Sequence, residues 1–261
     1  MTETTDIGFT GLAAALVLVV VAVGLSMWRQ LRIERTLVWA ATRAVVQLLA
    51  VGLVLEVVLD PESPIALAWA WVALMVLIAA LTVRQRARHV PGAFGLALAA
   101  TGLSMSLSLA VVFGFDILPV KGITIVPLAG MLIGNSIAAT VSAARRIVAE
   151  LTEKRHEIEA RLALGQPWPD ASRPYMRAAL QVALTTSIES TKVVGLVSLP
   201  GTMTGLILAG VDPLDAVLVQ AAVMYLILGS AAVNVVVISL GLTRRLFTSD
   251  HRLVRLSRVA S

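Results

Sequence analysis

Residues 65–88 read IALAWAWVALMVLIAALTVRQRAR: nineteen residues without a charge, then three arginines within five positions. A helix rises 1.5 Å per residue, so about 20 apolar residues cross the roughly 30 Å hydrocarbon core of a bilayer. A charged cluster that follows such a run at once marks its end. The rest of the chain repeats the pattern. Apolar runs occupy 7–27, 37–59, 65–83, 93–115, 120–143, 177–199 and 213–242, and predict an all-α, polytopic transmembrane bundle of about seven spans forming a single domain over 1–261. The stretch 199–212 is open between a loop, a re-entrant element and a broken helix.

Composition agrees. Of the 261 residues 58% are hydrophobic and only 14% charged, where a soluble domain carries about a quarter; the mean hydropathy is +0.89. Met1 to Asp6 holds Glu3 and Asp6 but no Lys or Arg, so the first run reads as a retained span rather than a secretory signal. The net charge of +5 does not point to nucleic acid, because the basic residues fall between apolar runs. They are Arg29, Arg32 and Arg35; Arg84, Arg86 and Arg88; Arg145, Arg146, Lys154, Arg155, Arg161, Arg173 and Arg177; and Arg244, Arg245, Arg252, Arg255 and Arg258. The opposite loops hold Lys121 with Asp60, Glu62, Asp116, Asp212 and Asp215. The positive-inside rule then puts the N-terminus outside and the C-terminus in the cytoplasm.

The one large segment between runs is 144–176. Ile147, Leu151, Ile158 and Leu162 recur at helical spacing, and Glu150–Lys154 and Glu157–Arg161 are acid-before-base pairs four apart. That is an amphipathic helix over 144–165, ended by Gly165, Pro167 and Pro169. Periodicity alone allows a helix lying on the membrane interface or a docking element for a cytoplasmic partner.

Ionisable groups inside spans are costly and mark candidate sites. Arg43 and Glu56 fall in the second run, Glu189 and Lys192 in the sixth. Glu189 lies about 18 Å into its span, in a polar island of threonines and serines, with Lys192 on the same face. Arg43 and Gln47 are one turn apart, and Asn135 sits mid-span. These five outline a transport path, unless the polar groups only hold helices together. Gly130 and Gly134, like Gly201 and Gly205, have the spacing that lets helices approach closely. There is no GxxxxGK[ST], so the chain carries no phosphate loop of its own. There is no cysteine, no HExxH, and no histidine within a run. An enzyme site is therefore not expected, and a cation site in the membrane would use oxygen ligands suited to hard ions, with Glu189 and Asn135 as candidates.

Five blocks carry a resemblance: 43–48 (RAVVQL), 126–135 (VPLAGMLIGN), 159–165 (EARLALG), 192–205 (KVVGLVSLPGTMTG) and 209–213 (AGVDP). In that order, over nearly the whole chain, they resemble the FetB-type ABC permeases, bacterial inner-membrane proteins associated with iron export and related to plant aluminium-tolerance permeases. Glu189 stands where that family often has Asp, and Thr202 where it commonly has Met. The resemblance implies a permease homodimer that exports a metal cation, binds no cofactor itself, and takes its energy from ATP on a separate ATPase subunit. Block 159–165 resembles the loop by which ABC permeases engage their ATPases, which makes Glu159, Leu162 and Gly165 coupling residues. An ion-coupled secondary transporter, with Glu189, Lys192 and Arg43 carrying ions without ATP, is the alternative. A non-transporting scaffold is the third reading.

Overall fold

The computed structural model describes residues 9–60, 62–195, 200–248 and 252–254. Every element in them is a helix: α1 (Phe9–Trp28), α2 (Glu34–Val58), α3 (Ile65–Arg86), α4 (Ala93–Gly114), α5 (Gly122–Glu153), α6 (Arg155–Ala163), α7 (Trp168–Val193), α8 (Gly201–Leu208) and α9 (Pro213–Leu246). Two units make up the chain, Met1–Ser63 and Pro64–Ser261.

The first unit is the α1–α2 hairpin. Its turn is tied by one serine: the Ser26 hydroxyl donates to Glu34 Oε2 at 2.9 Å and accepts from the Ile33 amide at 3.4 Å. Gln30, at φ 54°, closes α1 in a left-handed turn, with the Leu31 and Gln30 amides donating to the Ser26 and Met27 carbonyls. A side chain there costs more than glycine would.

In the second unit α5 packs on α3, α7 and α9, while α4 packs on α3 and α9. Two apolar layers fill it. One gathers Ile147, Leu151, Ile158, Tyr175, Ile238, Leu242 and Phe247. The other gathers Met105, Val112, Ile125, Leu132 and Val223. Arg145 Nη2 donates to the Arg86 carbonyl and Arg245 Nη1 to the Gly92 carbonyl, so α3, α5 and α9 bring their arginines to one end of this unit, beside the start of α4.

Five of the described helices, α2, α3, α4, α5 and α9, are long and apolar enough to cross a membrane; α1 adds a shorter apolar stretch, Ala14–Trp28. The expected sixth span is α7, shifted nine residues earlier at its start. It is not among the five, because charged residues stand toward both of its ends, Asp170, Arg173 and Arg177 in the first half and Glu189 and Lys192 in the polar island of the second. The last residues of the expected run 177–199 lie outside the described residues.

The amphipathic segment needs a larger correction. No separate helix starts near 144. The fifth helix runs unbroken for 32 residues to Glu153, because backbone hydrogen bonding continues through a change from apolar to charged side chains. The break falls at Lys154 (φ −91°, ψ 19°), where the sequence offers neither glycine nor proline. The expected stop at Gly165 does occur. Gly165 takes φ +85°, with the Gln166 amide donating to the Arg161 carbonyl and its own amide to the Leu162 carbonyl. This is a Schellman closure, which needs a left-handed residue after the helix. The stretch left open at 199–212 is the eight-residue helix α8, closed the same way by Gly210 at φ +87°.

Candidate functional site

The polar island of α7 lies on its surface. Thr185 donates to the Gln181 carbonyl, and Ser190 and Thr191 to that of Ser187, at 2.8 to 3.0 Å. These hydroxyls are satisfied within their own helix, so they need no neighbour to hold them. Lys192 Nζ donates to Glu189 Oε1 at 2.8 Å, and the two side chains are 64% and 58% exposed. The pair is thus not buried within the chain.

Asn135 is also exposed and donates to the Met131 carbonyl at 2.8 Å. Its level can be compared with that of Glu189. Ser142 of α5 and Val182 of α7 line one groove, and the two helices run in opposite directions. Seven residues beyond each, Asn135 and Glu189 both lie about 10 Å farther from the arginine end. They share a depth, within about a turn. Next to Asn135, the Met131 sulfur accepts from Thr202 Oγ1 of α8 at 3.9 Å. Arg43 and Gln47 are exposed on α2, in the other unit. Among the described residues no group of three or more His, Asp or Glu side chains is gathered for a metal ion.

The glycine pairs do not bring two backbones together within the chain. A Cβ at Gly130 would touch Met75 Cε at 3.8 Å, an ordinary contact, and one at Gly134, Gly201 or Gly205 would meet open space. The close approaches are at Gly92, where a Cβ would run into the Arg245 side chain, and at Gly241 of α9, where it would run into Leu96 of α4.

In the coupling segment, Ile158 is fully buried and Leu162 packs on the same core. Leu162 therefore points into its own chain. The outward apolar residue is Leu164, 84% exposed. Glu159 pairs with Arg155 at 2.6 Å, and Arg155 Nη2 donates to the Leu253 carbonyl at 2.8 Å. Trp168 stacks on Phe247 at 5.4 Å. The chain after α9 is thereby fastened to α6 and the start of α7. Glu157 accepts from Lys154 and from the Tyr175 hydroxyl at 2.9 and 3.0 Å. The Lys154 hydrogen bond, with help from Tyr175, holds the Glu157 carboxyl below its usual range.

A buried hydroxyl layer between the two apolar layers escaped the sequence reading. Ser104 Oγ lies 2.9 Å from Ser230 Oγ, which is 3.1 Å from Ser136 Oγ. Thr101 donates to Asn234 Oδ1 at 3.2 Å, and Asn234 Nδ2 to the Ser230 carbonyl at 3.1 Å. This network joins α4, α5 and α9 by the interhelical polar contacts that hold helices together in lipid. Its signals in the sequence are two helical spacings, Thr101 with Ser104 and Ser230 with Asn234.

Long apolar helices, arginines collected at one end and an internal hydroxyl layer define a helical membrane protein. The chain belongs to the family described as "Uncharacterised protein family (UPF0014)", which it matches over residues 9–247. It is 31% identical over 246 residues to "Probable iron export permease protein FetB" of Escherichia coli (strain K12), covering 93% of each chain. It is 34% identical over 232 residues to "UPF0014 membrane protein STAR2" of Oryza sativa subsp. japonica, covering 87% of this chain and 80% of that one. It is 36% identical over 227 residues to "Protein ALUMINUM SENSITIVE 3" of Arabidopsis thaliana, covering 85% and 81%. No solved structure matches it.

Proposed function

We propose that this chain is the membrane-spanning permease of an ABC-type exporter of a metal cation, iron by analogy with the E. coli relative. It works in a bacterial inner membrane as a homodimer, with ATP bound and hydrolysed on a separate ATPase subunit. The observation that carries this reading is the Glu189–Lys192 pair, more than half exposed on a helix of a membrane-protein family. Charges at membrane depth are expensive against lipid and persist where water or protein covers them. A wetted cavity, roofed by a second copy and lined by Glu189 and Asn135, supplies that cover. It also offers oxygen ligands to a hard cation.

The test reconstitutes the chain with its ATPase in vesicles and follows iron efflux with and without ATP. ATP-dependent efflux supports the reading. Efflux driven by an ion gradient, with no ATPase present, replaces it with the secondary transporter.

Gly134 tests the homodimer. Open space surrounds it within the chain, so Gly134→Leu should leave the monomer's thermal stability within about 0.5 kcal/mol of the parent. In lipid the added side chain would hold a second copy away from α5. The expected result is loss of cross-linked dimer with normal membrane insertion. An unchanged dimer would remove this face from the interface.

A further inference from the structure

The arginines that orient the chain also build a pocket. Arg86 at the end of α3 and Arg145 and Arg146 of α5 line a groove of about 640 Å³, together with Ser142, Ala138 and, from α7, Val182. The acidic group that meets them is Glu150, which pairs with Arg146 at 3.0 Å. Three guanidiniums against one carboxylate leave the mouth positive. Ala138 lies seven residues from Arg145 along α5, about 10 Å toward the middle of the helix. The groove is therefore basic at one end and apolar at the other.

We infer that this groove binds an anionic phospholipid, its phosphate on Arg86 and Arg145 and the start of an acyl chain along Ala138 and Val182. The charge repels a free metal cation and attracts an anion. Guanidinium forks match phosphate oxygens, and the Ser142 hydroxyl adds a donor on the same wall. A free phosphate would use only the basic half. A lipid uses both, and basic pockets between helices at the cytoplasmic face are where anionic headgroups settle. The inference rests on the reading that the arginine end lies at a membrane surface.

The experiment uses the full chain purified in mild detergent. Binding of phosphatidylglycerol, phosphatidylcholine and glycerol phosphate is measured by native mass spectrometry and by thermal stabilisation. Phosphatidylglycerol should bind in preference to phosphatidylcholine. The Arg86→Gln, Arg145→Gln double variant should bind it about thirtyfold more weakly, the effect of removing two basic residues near an anionic surface. Arg173→Gln, whose arginine pairs with Asp170 outside the groove, should bind as the parent does. Val182→Trp, which fills the apolar half, should weaken the lipid and spare glycerol phosphate.

Equal lipid binding by the double variant overturns the assignment. So does glycerol phosphate displacing the lipid at equal concentration, or a double variant that changes only the oligomeric state. Should the double variant misfold, Val182→Trp decides alone, and unchanged lipid binding in it overturns the assignment. Alkaline extraction of membranes keeps the two readings apart. A chain released by alkali overturns the permease reading, whereas a retained chain with no anionic preference overturns only the groove.

Discussion

On the proposed function, Glu189→Gln is expected to lower ATP-driven iron efflux by about ten- to a hundredfold, while basal hydrolysis by the assembled complex should continue. The substitution keeps the shape of the side chain and removes its charge. A hydrogen bond to a charged group is worth about 1.5–3 kcal/mol, and loss of that interaction from the transport barrier gives the stated range. The assembled transporter should still fold, because Glu189 is exposed in the single chain and its partner, Lys192, is on the same helix. Lys192→Met acts differently. It leaves the carboxylate without its ammonium, so transport falls and the complex also loses stability in the membrane. A purely structural pair predicts another pattern, with both single variants unstable and the Glu189→Gln, Lys192→Met double restored. Efflux from vesicles for the two singles and the double separates the cases. Full activity in the double would eliminate a direct role for either residue.

The second large effect is expected at the end of α6. Gly165 sits at φ +85°, where a β-branched side chain is strained by about 1–3 kcal/mol. Gly165→Val should open the Schellman turn and redirect Leu164, which precedes it. The ATPase should then fail to co-purify, while insertion into the membrane stays normal because Ile147, Leu151 and Ile158 keep their core. Leu164→Asp leaves the backbone alone and should abolish capture as well, by placing a charge on an apolar contact. Retained capture in both variants would remove this turn from the ATPase interface.

The apolar runs of the sequence located nearly every helix, since long uncharged stretches and proline or glycine stops are local signals. The α6 stop at Gly165 and the α9 start at Pro213 were legible for that reason. The length of α5 was not. The composition changes near residue 144, yet hydrogen bonding within a helix is indifferent to that change. Nor could spacing tell which glycine meets another helix. Gly130 and Gly134 carry the motif, but Gly241 faces Leu96 because α4 happens to cross α9 there. The same limit hid the hydroxyl layer, in which Ser104, Ser136 and Ser230 look like ordinary serines until three helices bring them together. The apolar spacing of 144–165 did pick out buried residues, Ile147 and Leu151 on α5 and, past the break at Lys154, Ile158 on α6, in one cluster. What periodicity left out was the partner of those residues, which is the chain's own α7 and C-terminal segment. Leu162 consequently turns inward and Leu164 outward.

The unbroken α5 has a mechanical consequence. From Asn135 to Glu153 it is a single rod about 27 Å long, with Pro127 the one proline inside the helix and on the far side of Asn135. A rod without a joint transmits rotation rather than absorbing it. If it pivots about the hydroxyl layer at Ser136, a tilt of about 10° sweeps its arginine-end tip through about 4 Å. Force applied at the Glu153 end is then carried along the whole rod as one rotation about the hydroxyl layer. Inserting a flexible joint, for instance a glycine pair near Ala149, would uncouple the two ends while leaving each intact.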